Sequence, residues 1–115
     1  MKQVEVYFSP TYKKELKKLK KKNYPIKLIT QCLKAIIAQD NKILKKIKHH
    51  SLQGSWKGFN EFHPGRLSSN SNLNYDQWIV IYTFSKSKLI LTLVSTGNHE
   101  ILTKHKPKTL LNNKS

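Results

Sequence analysis

Val4-Glu5-Val6-Tyr7-Phe8-Ser9-Pro10 changes its hydrophobic period within two residues. Val4, Val6 and Phe8 alternate with Glu5 and Tyr7, the two-residue repeat of a half-buried strand. Ser9-Pro10 then carries a helix-start signal. The serine hydroxyl can accept an orphan backbone N–H, and proline at the first helical position loses no hydrogen bond. A helix is predicted from about Pro10 to Lys22, with Tyr12, Leu16 and Leu19 as its apolar stripe. Its outer face carries Lys13, Lys14, Lys17, Lys18, Lys20, Lys21 and Lys22, balanced only by Glu15. Like charges at this density destabilise an isolated helix, so a polyanionic partner is the economical explanation.

Downstream, Asn23-Tyr24-Pro25 breaks the pattern. Ile26, Ile29, Leu33, Ile36 and Ile37 then recur at helical spacing to about Gln39, completing an antiparallel helical hairpin. Lys42 to Lys48 reads as a basic connector with Ile43, Leu44 and Ile47 facing inward. From Trp56 the period becomes two. Trp56, Gly58, Asn60 and Phe62 are expected on one side of a strand, and Lys57, Phe59, Glu61 and His63 on the other. Pro64 to Tyr75 reads as a polar loop, and Trp78-Ile79-Val80-Ile81-Tyr82, apolar on both faces, as a central strand. Lys88 to Ser95 forms its antiparallel neighbour, and a helical turn from His99 to Leu102 follows. The expected class is α+β, a two-helix hairpin on one face of a small, largely antiparallel sheet whose other face stays open to a ligand. Residues 1–104 are expected to form one domain, with 105–115 as a basic, poorly ordered tail.

Twenty-two Lys+Arg against six Asp+Glu give the 115-residue chain a net charge of +16, a surface suited to RNA or DNA. The single cysteine, Cys32, lies among apolar residues and excludes a disulfide framework. A secretory leader is not visible, and no apolar run approaches the roughly 18 residues of a membrane span, so a cytoplasmic protein without membrane contact is expected.

Three of the five histidines stand in unusual contexts: His50 before Leu52-Gln53-Gly54-Ser55-Trp56-Lys57-Gly58, then His63, then His99 closing Thr96-Gly97-Asn98-His99. Imidazole, with an ordinary pKa of about 6.5, can donate or accept a proton near neutrality, which points to acid-base chemistry. His49 and His105 are read as structural, and Trp56 and Trp78 as core. No metal site is expected, since local His or Cys ligand spacing is missing.

The run from His50 through Glu61 and His63, the Trp78 strand and the Thr96-Gly97-Asn98-His99 turn together resemble the YafQ branch of the RelE superfamily of bacterial toxin-antitoxin ribonucleases. The resemblance spans Val4 to Leu102 in element order. It implies a toxin that enters the A site of the 70S ribosome and cleaves mRNA there, contacting rRNA and held inactive by a cognate acidic antitoxin. It also implies metal-free, cofactor-free attack of the RNA 2′-hydroxyl on the adjacent phosphate.

By that resemblance His99 is the general acid, Asp76 or His63 the base, and His50 a phosphate- or base-positioning group. Lys13, Lys17, Lys20, Lys21, Lys45 and Lys46 are expected on RNA phosphates. Two departures stand out. The family pattern sets an aspartate beside the tryptophan soon after the second histidine, whereas here the loop is longer and Gln77 separates Asp76 from Trp78. An arginine is expected shortly before Thr-Gly-x-His, and Ser95 occupies that place. Arg66 or Lys57 would then have to supply the cation that stabilises the phosphorane. Without it, a catalytically impaired RNA- or antitoxin-binding module is the alternative.

Overall fold

The computed structural model describes residues 3–68, 75 and 77–107. Strand β1 (Glu5–Phe8) leads into helix α1 (Pro10–Lys21), α2 (Lys27–Ala38) and a short α3 (Asn41–Lys46). Strands β2 (His50–Ser51), β3 (Asn60–Phe62), β4 (Ile79–Ser85) and β5 (Ile90–Gly97) follow, and α4 (Ile101–Lys104) closes the order. The sheet runs β1-β5-β4-β3-β2, with β1 parallel to β5 and every other pair antiparallel. The strand that is apolar on both faces, β4, takes the middle, as its composition requires.

Ser9 performs as its type suggests. Its Oγ accepts from the Tyr12 backbone N–H at 3.0 Å and donates to the Val94 carbonyl at 2.6 Å, so the helix cap also fixes α1 to β5. Lys18, Lys20 and Lys21 crowd the last turn of α1, where the helix dipole favours positive charge. Asp40, ahead of the basic connector, caps α3 by accepting from Ile43 N–H at 3.4 Å.

Two cores sandwich the sheet. On the helix side Tyr12 and Leu19 of α1, Ile29 and Cys32 of α2, and Ile47 pack on Phe62, Trp78, Val80, Tyr82, Leu91 and Leu93. Beneath the sheet Ile79, Ile81 and Val94 pack with Trp56, Phe59 and Ile101. The alternation of β4 residues between the two clusters is the pleat made visible. The face expected to be open is therefore largely covered, because Leu52 to Phe59 and α4 fold across it. Trp56 Nε1–H donates to the Leu102 carbonyl at 2.7 Å and ties the two covers together.

The strand predicted from Trp56 begins only at Asn60. Trp56 sits in a 3₁₀ turn (Gly54–Trp56), and Gly58 has φ +96°, a conformation that breaks extended pairing and favours glycine. Lys57, at the end of that turn, is exposed and shares no strand face with His63. A second 3₁₀ turn, Pro64–Leu67, carries half-buried Arg66. A Cβ on Gly65 would stand 2.3 Å from the Tyr75 carbonyl oxygen, so the chains on either side of the long loop meet there. Both tryptophans are core: Trp78 Nε1–H donates to Thr96 Oγ1 at 2.9 Å and is 1% exposed.

Candidate active site

Glu61 is the centre on which the three singled-out histidines converge. It pairs across the sheet with His50 of β2 and Ile81 of β4, while Phe62 beside it turns to the helix-side core. His63 lies two residues along, and its backbone N–H donates to the Ile47 carbonyl at 2.8 Å, anchoring the segment to the end of α3. His99 enters from the turn after β5. The Nε2 atoms of His63, His50 and His99 stand 3.2, 3.4 and 3.6 Å from one oxygen, Glu61 Oε2. The His63 and His99 rings are 5.5 Å apart at their centroids.

Burial divides the cluster into a support and a working edge. The Glu61 and His63 side chains are 4% and 9% exposed, those of His50 and His99 about half exposed. Burial pushes the Glu61 carboxyl up, yet the hydrogen bond from His63 and the charges of His50, His63 and His99 outweigh it and hold the group below its ordinary 4.5. The ionised carboxylate in turn favours ring protons directed at it. His50 Nδ1 lies 2.8 Å from the Lys48 carbonyl, which can only accept, so Nδ1 carries a proton. Its Nε2 then faces Glu61 attractively when the ring is doubly protonated. Glu61 Oε1, also buried, has no hydrogen-bond partner among the described residues.

Ligand atoms of Glu61, His63 and His99 all lie within 4.8 Å of one another, a nitrogen and carboxylate set able to hold a transition-metal ion. Local spacing hid this set, because its members come from β3, the residue after it and the turn after β5. Asp76, the residue proposed as base on resemblance, lies outside the described residues.

Ser95 does not face this cluster. It is fully buried, and its Oγ donates at 2.6 Å to Oε1 of Glu15 on α1. The same oxygen accepts from Thr96 N–H at 3.1 Å, and Glu15 Oε2 lies 3.0 Å from His105 Nε2. His105, assigned to the tail, is thus held against α1, and residues 108–115 of that tail lie outside the described residues. His49 is structural too: its ring stacks on Tyr82 and bonds the phenol oxygen. Lys13, Lys17, Lys20 and Lys21 on α1, and Lys45 and Lys46 on α3, are all exposed.

Sequence reasoning passed over Glu61 and Glu15 as functional residues. Glu61 had a signal, since it shares a strand face with His63 in a chain with only six carboxylates. Glu15 had none, because it stands between lysines and its partners lie some 80 residues away.

The family model described as a bacterial toxin of type II toxin-antitoxin system, YafQ, matches residues 4–104. YafQ from E. coli strain BL21(DE3) superposes with a TM-score of 0.65 at 23% identity, over 87% of this chain and 98% of that one. YafQ in the E. coli DinJ-YafQ toxin-antitoxin complex gives 0.65 at 26%, over 88% and 98%. A metal-bound toxin from Helicobacter pylori gives 0.68 at 26%, over 87% and 99%. No curated protein matches the sequence.

Proposed function

The chain belongs to the YafQ family of bacterial type II toxins, and from that membership we propose that it is a ribosome-dependent mRNA endoribonuclease, neutralised by a cognate acidic antitoxin. The observation that carries the reading is the convergence of His50, His63 and His99 on one buried carboxylate, on a surface of net charge +16. The reaction class is attack of a 2′-hydroxyl on the adjacent phosphate, which needs a base, an acid and positive charge around the phosphorane. The products are a 2′,3′-cyclic phosphate and a 5′-hydroxyl.

His99 is the acid, giving its Nε2 proton to the departing 5′-oxygen. The base is Asp76 or His50: the His63 ring is too covered to meet the ribose, whereas the His50 ring is about half exposed. Glu61 and His63 stand behind the working pair. They fix the ring orientations, and Glu61 supplies the anionic partner that stabilises the imidazolium at His50 when that ring takes the hydroxyl proton. Exposed lysines on α1 and α3 contact rRNA phosphates, and the shared +16 charge attracts the acidic antitoxin in their absence. E. coli YafQ is seen with DinJ, which supports a partner of that kind here. The site of action is the cytoplasm, where translation occurs, and among the described residues no helix is long and apolar enough to cross a membrane.

A binding-only reading draws on Ser95, which supplies no cation where the resemblance expects arginine. Incubation with programmed ribosomes separates the two. Cleavage within the A-site codon that leaves a 2′,3′-cyclic phosphate, falling about a hundredfold in His99→Ala at unchanged ribosome affinity, is the expected result. Intact mRNA with tightly bound wild-type protein selects the binding module.

A further inference from the structure

We infer that Glu15 is a positioning residue for His99, acting by clamping both ends of the segment that carries it; the inference rests on the proposed acid role of His99. Oε1 of Glu15 accepts from Ser95 Oγ–H and Thr96 N–H, where the segment leaves the sheet. Oε2 takes His105 Nε2–H at 3.0 Å, where the same segment leaves α4. One carboxylate on α1 thus pins residues that are ten positions apart in sequence, and His99 lies between them. Both partners of the outer contact are mostly covered, Glu15 at 16% and His105 at 19% exposure, so water screens the pair weakly.

The clamp works on a segment with little other freedom. Ile101 is buried in the lower core, and the Leu102 carbonyl is held by Trp56 Nε1–H. Asn98 Oδ1 accepts from Glu100 N–H at 2.9 Å, and a Cβ on Gly97 would stand 3.0 Å from Ile101 Cγ2, so the turn bearing His99 is closely fitted. The His99 side chain itself is about half exposed and meets Glu61 Oε2 at 3.6 Å and the His63 ring at 5.5 Å between centroids. The contacts of Gly97, Asn98, Ile101 and Leu102 close the turn itself, and the clamp adds the tie that fixes the turn, and with it His99, against α1. The choice of a carboxylate also accounts for the inward turn of the one acidic residue on a lysine-covered helix. Its negative charge is placed where two N–H or O–H donors and an imidazole converge.

The test compares Glu15→Ala, Glu15→Gln and Ser95→Ala in the full chain. Glutamine keeps an oxygen for Ser95 and Thr96 and, with His105 in its Nδ1–H tautomer, an amide N–H for the ring Nε2, so it rescues. Single-turnover cleavage on programmed ribosomes should fall tenfold to about a hundredfold in Glu15→Ala with KM unchanged, as expected for a misplaced acid. Glu15→Gln should stay near wild type, and Ser95→Ala should fall between. Side-chain NMR of the histidine rings gives a readout independent of activity: the His99 resonances should shift or broaden in Glu15→Ala while those of His49 hold. A Glu15→Ala protein that is folded, cleaves at the wild-type maximal rate and keeps the wild-type His99 spectrum overturns the clamp. If wild-type protein cleaves nothing, the nuclease reading fails while the NMR comparison still decides whether Glu15 sets the His99 ring.

Discussion

Glu61, on β3 between β2 and β4, and His63 just beyond the strand are two residues apart, and their side chains meet at 3.2 Å beneath two more exposed imidazoles. A strand repeats its side chains every two residues, so this contact follows from local geometry alone, whereas His50 and His99 are added by register and by the turn after β5. The carboxylate is thus the fixed element and the outer histidines the adjustable ones.

Replacing Glu61 by Gln should lower cleavage by about a hundredfold, since the rings lose the anion that orients and charges them. The same variant should change acid sensitivity. The folded-state pKa of Glu61 lies below the ordinary 4.5, so its contribution to stability is complete above that value and is lost as pH falls through the folded pKa. Urea titrations at pH 7 and pH 3 should show a smaller acid loss in Glu61→Gln than in wild type. Parallel losses would mean that the cluster does not hold the carboxylate ionised.

His49 should govern stability and leave chemistry alone. Burial, assisted by the charge of His50, pulls its pKa below the ordinary 6.5, so the folded protein resists a proton that the unfolded chain accepts. Stability should decline as pH drops below about 6.5, and His49→Gln, which retains a bond to Tyr82, should flatten that decline. Denaturation midpoints measured at pH 7.5 and 5.5 for both proteins check it, alongside an unchanged cleavage rate.

Introducing arginine at Ser95 should not raise activity. The position is fully buried and directed at Glu15, so the guanidinium meets α1 and not the phosphate, and the added volume destabilises by about 1–3 kcal/mol. A Ser95→Arg protein that cleaves faster than wild type on programmed ribosomes would place the missing cation there after all.

Ribosome binding should weaken steeply with salt. Changing Lys13, Lys17, Lys20 and Lys21 together to Ala should flatten the log–log slope by about one for each lysine that neutralises a phosphate. An unchanged slope in filter binding between 50 and about 200 mM salt would move the contact surface away from α1.

Much of the fold could be read from local chemistry. Ser9-Pro10 announced α1, the doubly apolar run from Trp78 announced the middle strand, and the Leu91 and Leu93 repeat announced its neighbour. What escaped was decided by geometry without a residue-type signature. Gly58 takes a positive φ, so a period-two pattern that looked continuous from Trp56 to His63 breaks before Asn60. Strand β2 is two exposed residues, too short for any periodicity. The lower core was hidden because Trp56, Phe59 and Ile101 come from a turn and a helix of four residues. At the site, the histidines were legible by context, but their shared carboxylate needed the strand register, and the Glu15 contacts needed the tertiary fold.

The close approach of Gly65 to Tyr75 leaves no room for a side chain at the foot of the long loop. Any side chain at 65 would meet the Tyr75 backbone and push the two ends of the loop apart, two residues from His63.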